Sequence, residues 1–302
     1  MFMQSNGGLV SADLFQGKDS ILSGPAGGIV GAVKTCQQAG YGRIITFDMG
    51  GTSTDVAHFQ GEYERTFDAQ VAGVRIRAPM MQIHTVAAGG GSILSFAGER
   101  FRVGPESAGA NPGPACYRRG GPLTVTDCNL LLGKLNPDFF PSVFGQNADQ
   151  PLDSLVVAQK FDQMSHEIEQ QTGRKLTPFT IAEGFLKIAV DNMANAIKQI
   201  STQRGYDVTD YTLCSFGGAG GQHACLVADA LGMKKVILHP FAGVLSAYGM
   251  GLADMRTIRQ QAVERQLSAS LMRALQSNLI EMEIDARNEL IQQGVTKQTI
   301  QF

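Results

Sequence analysis

Asp48 and Asp55 bracket the run Met49-Gly50-Gly51-Thr52-Ser53-Thr54, which packs two glycines and three hydroxyl residues between two carboxylates. Apolar Ile44–Phe47 leads into the first acid, and Val56-Ala57 follows the second. The spacing predicts a strand, a tight turn and a returning strand with a carboxylate at each end. Gly50 and Gly51 let a backbone approach a ligand closely. Turn N–H groups, together with the Thr52, Ser53 and Thr54 hydroxyls, suit a phosphate chain. A carboxylate alone repels phosphate, so Asp48 is expected to hold Mg²⁺ through water, because Mg²⁺ keeps several waters and bridges to substrate phosphates. That chemistry is the handling of a nucleotide. Asp55 is open between two roles: orienting Thr52 or a water, and capping the hairpin.

A second glycine cluster, Gly217-Gly218-Ala219-Gly220-Gly221, follows an apolar strand over 211–216 and precedes a helix over 222–231. A helix N-terminus offers free N–H groups to an anion. The cluster does not fit G-x-G-x-x-G, and no acid follows at the dinucleotide-binding distance, so tight strand–helix packing explains it equally well. His223 opens that helix, where an N-terminal hydrogen bond is its plain role. A third cluster, Ala88-Gly89-Gly90-Gly91-Ser92, ends a strand over 83–86. His84 in that strand either faces a cleft or is an ordinary satisfied histidine. Residues 98–122 are rich in glycine and proline and are expected to form no long regular element. Glu106, Asn111 and Asp127 lie in or near this segment, and long ordered loops are often functional. Cys116 has Arg118 and Arg119 nearby, which would lower a thiol pKa, but no base is placed beside it and an inert thiol is expected.

The elements that position these residues alternate between strand and helix, which places the chain in the α/β class. Small residues over 24–33 and 243–253 predict two tightly packed helices. Amphipathic helices are expected over 152–172, with Leu155, Val156, Ala158, Phe161, Met164 and Ile168 on one face, and from Pro178 to about Gln203, with Thr177 as N-cap. A long polar helix is expected over 268–292. Residues 62–78 have strand-like content, and Met80, Met81, Met250 and Met255 read as core filler. The net charge of −2 over 302 residues supplies no basic field for nucleic acid or an acidic membrane. Five scattered cysteines, none in C-x-x-C spacing, argue against a zinc knuckle or a complete disulfide framework and for a reduced compartment. No apolar run reaches a bilayer span and no basic n-region precedes one, so a cytoplasmic location is expected.

The strand–Asp48 to Asp55 unit resembles the second phosphate hairpin of the actin, sugar kinase and heat-shock chaperone ATPase superfamily. Ser23–Gly28 and Gly243–Gly251 resemble its two interdomain helices, and Cys214–His223 its adenosine motif. Within that superfamily the sequence is similar to the hydantoinase A / 5-oxoprolinase family, to which the acetone carboxylase subunits are related. The likeness is carried by Met3–Gly8, Ser23–Gly28, Asp48–Val56, Ala88–Ser92, Val103–Tyr117, Thr124–Asp127 and Phe216–His223.

This resemblance implies an actin-like ATPase (ribonuclease H-like) lobe over 1–260. The lobe would carry a Gly/Pro-rich insertion over about 90–150, a helical segment over about 152–204, and the start of a further helical region over 261–302. It implies ATP and Mg²⁺ as cofactors and a small cyclic amide, a hydantoin or 5-oxoproline, as substrate. Asp48 and Asp55 would be catalytic, with Asp48 on Mg²⁺. Gly50, Gly51, Thr52, Ser53, Gly217, Gly218 and Gly221 would bind nucleotide, and His84, Gly90, Glu106, Asn111 and Asp127 would lie in the substrate region. The family's N-terminal D-x-G-G-T-x-T-D hairpin has no counterpart here. The expectation is therefore one lobe of a larger enzyme, inactive alone, whose partners are the N-terminal lobe and a hydantoinase B-type subunit. A ketone carboxylase subunit and a non-catalytic nucleotide-gated module are the competing readings.

Overall fold

The computed structural model of the chain describes residues 1–71 and 73–302. Its central strand is Arg43–Met49, in which Ile44, Ile45, Phe47 and Met49 are all wholly buried. A strand covered on both faces reads as a continuous apolar run, which is how this one reads. Thr54–Gln60 pairs antiparallel on one side of it, followed by His84–Val86, also antiparallel. On the other side Thr212–Phe216 and then Val236–Leu238 run parallel. In chain order the sheet reads 5-4-1-2-3, the arrangement of the ribonuclease H-like lobe that the resemblance implies.

Helices pack on this sheet. Pro178–Ile200 starts where Thr177 accepts a hydrogen bond from the Thr180 N–H, with Pro178 in the first turn. Its Ile181, Phe185, Ala189, Met193, Ala196, Ile197 and Ile200 are buried along one face, and Ile188 beside them is half-buried. Truncating Phe185 would cost about 3–5 kcal/mol. Ser154–Thr172 is capped by the Asp153 carboxylate and ends at Gly173, whose φ of 71° suits a residue without Cβ. Its buried stripe is Val157, Phe161 and Ile168. Leu155, expected on that stripe, is 76% exposed, because two residues of helix rotate a side chain by about 200°.

The Gly/Pro-rich segment is more regular than its composition suggests. Arg100–Ser107 is an eight-residue strand paired antiparallel with Ser92–Ala97. Gly98 and Glu99, both at positive φ, form the two-residue turn between them. Ladder pairing skips from Val103 to Ser107, leaving Gly104-Pro105-Glu106 in an irregularity where no ladder bond is required of them.

The chain divides into two compact units. The sheet and its helices occupy 32–63 and 83–245; the other unit takes 1–31, 64–82 and 246–302. Within the second unit, Phe2–Met3 pairs with Leu9–Val10, Arg65–Thr66 with the buried Met80–Met81, and Ala69–Val71 with Val74–Ile76. Helix Ser23–Gln38 and helix Leu245–Leu252 meet through glycine: a Cβ on Gly249 would lie 2.0 Å from the Gly27 carbonyl oxygen and 2.5 Å from the Gly31 nitrogen. The small-residue runs thus bring two helix backbones together. Ala269–Gln292 is capped by Ser268, and Arg259 binds its Asp285 and Glu289. No described helix is long and apolar enough to cross a membrane.

Asp127 holds the irregular part of the insertion. It is wholly buried and opens the short helix Val125–Leu131. One carboxylate oxygen accepts from the Ala115 N–H, the Thr124 N–H and the Thr124 hydroxyl; the other accepts from the Cys116 N–H. Burial pushes its pKa up and these donors pull it back. Replacing it with alanine strands buried N–H groups, each at about 1–3 kcal/mol. Asp127→Ala is therefore expected to shift the urea midpoint down and to open the chain to trypsin at Arg118 and Arg119; an unchanged midpoint and digestion pattern would contradict this role.

Candidate nucleotide site

The hairpin forms as its spacing predicts. Asp48 faces Asp55 across the strand pair and Met49 faces Thr54, with the turn closed by a hydrogen bond from the Gly50 N–H to the Ser53 carbonyl. The turn's own carbonyls are taken: Gly50 O accepts from the Gly90 N–H at 3.1 Å and Gly51 O from the Gly91 N–H at 2.6 Å. Gly89 lies hard against it, since a Cβ there would meet Gly51 C, Gly51 O and Thr52 C at 2.7 Å. The third glycine cluster is thus the bed of the phosphate turn. Gly51 and Thr52 are exposed and Ser53 is half-buried. Among the described residues nothing hydrogen-bonds to the Thr52 or Ser53 hydroxyl, whereas the Thr54 hydroxyl, expected beside them, is buried and donates to Ala88 O.

Asp48 sits where this turn meets the second glycine cluster. A Cβ on Gly217 would lie 2.4 Å from an Asp48 carboxylate oxygen and 2.5 Å from the Met49 carbonyl oxygen. Gly217 also has a φ of +81°, so glycine is required there twice over. The Ala219 N–H donates to Met49 O at 3.0 Å. Burial, and then the charge of Asp55, push the Asp48 pKa up to about 6. Asp55 accepts from the Thr85 hydroxyl at 2.6 Å, so it is tied to the neighbouring strand rather than to Thr52. Gly218 and Gly221 are exposed on the cluster, and Leu238 packs beside Gly221.

The other expected residues scatter. Gly90 lies beneath the turn, its carbonyl accepting from the Thr126 N–H and hydroxyl. His84 is half-buried on the edge strand, two positions before the loop that carries Gly89. Glu106 and Asn111 are exposed. Both oxygens of Asp127 are turned to the backbone, as described above. Cys116 is buried, and burial followed by Asp127 pushes its thiol well above the usual range. Arg118 is bound instead to Asp153 and Pro151 O, so the thiol is inert as expected. His223 makes no N-terminal cap bond; it is wholly buried and its Nε2 lies 3.0 Å from Asn129 Nδ2. Asn129 and Gln222 escaped the sequence reading, for each gains its meaning only from a partner some 93 residues away.

A magnesium nucleotide suits this arrangement. Burial and then the facing charge of Asp55 raise the Asp48 pKa, a cost that a cation beside the carboxylate would offset. Among the described residues no three His, Cys, Asp or Glu side chains converge as a metal cage, so a cation held here would rely on Asp48, water and phosphate oxygens, the habit of Mg²⁺. Exposed turn hydroxyls and an exposed glycine loop lie at the ends of two adjacent strands, one on each side of that carboxylate.

The family model described as hydantoinase/oxoprolinase matches residues 1–259. The 5-oxoprolinase of Saccharomyces cerevisiae is 50% identical over 84% of this chain and 20% of its own length. Among solved structures, the ATP-dependent caprolactamase of Pseudomonas jessenii is 31% identical with a TM-score of 0.79, covering 95% of this chain and 42% of that one. A nucleotide-free acetone carboxylase is 26% identical with a TM-score of 0.73, covering 97% of this chain and 42% of that one. The chain spans 20–25% of the length of the curated 5-oxoprolinases it matches. On the family match, and on a fold shared with both solved enzymes, the chain belongs to the hydantoinase/oxoprolinase family.

Proposed function

We propose that the chain is the nucleotide-binding lobe of an enzyme that uses ATP and Mg²⁺ to open a cyclic amide of the hydantoin or 5-oxoproline type. The observation that carries this is the junction at Asp48, where the phosphate turn and the second glycine loop are bonded to each other around one carboxylate of raised pKa. Similarity to a 5-oxoprolinase and to an ATP-dependent caprolactamase supports the substrate class.

The chemistry is reasonable. An amide carbonyl is a poor electrophile; transfer of a phosphoryl group to its oxygen supplies a leaving group, and water then completes ring opening. Positioning and charge neutralisation dominate such transfers. Mg²⁺ would neutralise phosphate charge beside Asp48. The Thr52 and Ser53 hydroxyls and the Gly50–Gly51 backbone would hold the phosphates. Gly217, Gly218 and Gly221 would back the nucleoside, and Asp55 would act through its charge on Asp48. His84, Glu106 and Asn111 are candidates for the substrate side. A second lobe with the opposing phosphate loop and a B-type subunit would complete the enzyme, in the cytoplasm. This chain alone would then bind nucleotide weakly without turnover. The acetone carboxylase likeness supports a second reading, carboxylation of a ketone.

Three measurements test these assignments. ATP hydrolysis by the complete enzyme is expected to require a cyclic amide. Turnover that needs ketone and bicarbonate would favour the second reading, and hydrolysis indifferent to both would reject each. In calorimetry, Mg·ATP affinity should rise as pH climbs to about 6 and then level, because the cation needs Asp48 ionised. Asp48→Asn should abolish that dependence. The same substitution should raise stability near pH 7 by on the order of 2 kcal/mol, because a carboxyl whose folded pKa is raised loses stability as pH passes from its unfolded value up through the folded one. Undiminished binding by Asp48→Asn would remove Asp48 from its role. Gly89→Ala, which collides with turn backbone, should weaken Mg·ATP binding about tenfold or more, and normal affinity would show that the turn does not bind phosphate.

A further inference from the structure

Beneath the two glycine loops lies a polar cluster whose burial is complete and whose bonding is not. Asn129 and His223 are both wholly buried. The Asn129 amide nitrogen donates to Gln222 Oε1 at 2.7 Å and lies 3.0 Å from His223 Nε2. An –NH₂ group can only donate, so Nε2 accepts and the imidazole proton resides on Nδ1. Two buried atoms then have no partner among the described residues: Asn129 Oδ1, an acceptor, and His223 Nδ1–H, a donor. Neutral imidazole suits this bond. Burial, and then the charge of Lys134, hold the His223 pKa down to about 4.

Helix Val125–Leu131 joins the cluster to the phosphate turn, and Gln222 and His223 join it to the second glycine loop. Asn129 and Thr126 stand one turn apart on helix Val125–Leu131, and so on the same face. Thr126 donates twice to Gly90 O, and the Gly90 and Gly91 N–H groups bond the carbonyls of the phosphate turn. At the other end Gln222 and His223 close the second glycine loop, where the His223 N–H donates to Gly220 O.

We propose that Asn129 and His223 are positioning residues that fix the separation of the phosphate turn and the second glycine loop. They touch neither nucleotide nor substrate, and buried water completes their bonding at Asn129 Oδ1 and His223 Nδ1. Water is the occupant that fits, since buried polar atoms without protein partners are commonly satisfied by it. The inference rests on the nucleotide reading for its functional consequence but not for the bracket itself.

The test uses the complete enzyme with Mg·ATP as probe and hydrogen exchange as a second readout. His223→Leu removes the acceptor. It is expected to raise the KM for ATP about tenfold while kcat moves less than about threefold, and to speed exchange at Gly90 and Gly91 at the far end of the bracket. His223→Gln, which keeps an oxygen at the Nε2 position, should restore both. Asn129→Leu removes the donor from the other side of the same bond and is expected to raise the KM for ATP and speed exchange at Gly90 and Gly91 to a similar extent. A folded His223→Leu with native exchange at Gly90 and Gly91 and unchanged KM would overturn the proposal, as would an Asn129→Leu variant that matches the parent in both readouts. If the parent binds no ATP but His223→Leu still loosens Gly90 and Gly91, the nucleotide reading falls and the bracket stands.

Discussion

The contact between Gly217 and Asp48 constrains the rest of the site. Strand Thr212–Phe216 lies parallel beside Arg43–Met49, with Phe216 level with Asp48. The two strands therefore end together, and both chains must turn away at the same level. One turns as the hairpin and the other as the glycine loop. A side chain on Gly217 would occupy the volume of the carboxylate. With glycine there, the loop lies on the acid and shields it from water, and the Ala219–Met49 hydrogen bond locks the pair. The raised pKa of Asp48 follows from this packing, since the shielding and the facing Asp55 both penalise its charge.

Much of this was legible because it is local. An acid, two glycines and three hydroxyls between apolar runs define a hairpin from neighbouring residues alone, and the register placed Asp48 opposite Asp55 as expected. The capped amphipathic helix Pro178–Ile200 was readable for the same reason: Thr177-Pro178 is a signal within one turn of the element it starts. Reading failed where partners were distant. Composition alone disfavoured a strand at Arg100–Ser107, because only the pairing with Ser92–Ala97 shows that Gly104 and Pro105 are spared ladder bonds. Asp127 looked like a site acid from its motif, yet its oxygens serve Ala115 and Cys116 on the preceding loop. The glycines at 89 to 91 read as a ligand loop, and Gly89 instead gives up its side chain to let another backbone pass.

The three glycine clusters therefore divide their labour. Gly50 and Gly51 form a turn and leave its outer face open. Gly89, Gly90 and Gly91 support that turn from below through two backbone hydrogen bonds. Gly217 and Gly220 give way to Asp48 and Ser215, respectively, leaving Gly218 and Gly221 exposed. A count of glycines cannot separate these duties; the distance from each missing Cβ to its nearest neighbour can.

Placing two acids face to face near the end of a buried sheet works against folding. In the apo state the charge at Asp48 is shielded from water and repelled by Asp55, a cost that any cation held there would remove. Such a site is stabilised by its ligand, as mass action requires of anything that binds the folded state alone. It also discriminates by charge, since a neutral occupant would leave the carboxylates uncompensated. On the proposed reading, the same pair of acids that weakens the empty fold would admit a phosphate-bearing ligand only together with a cation that offsets their charge.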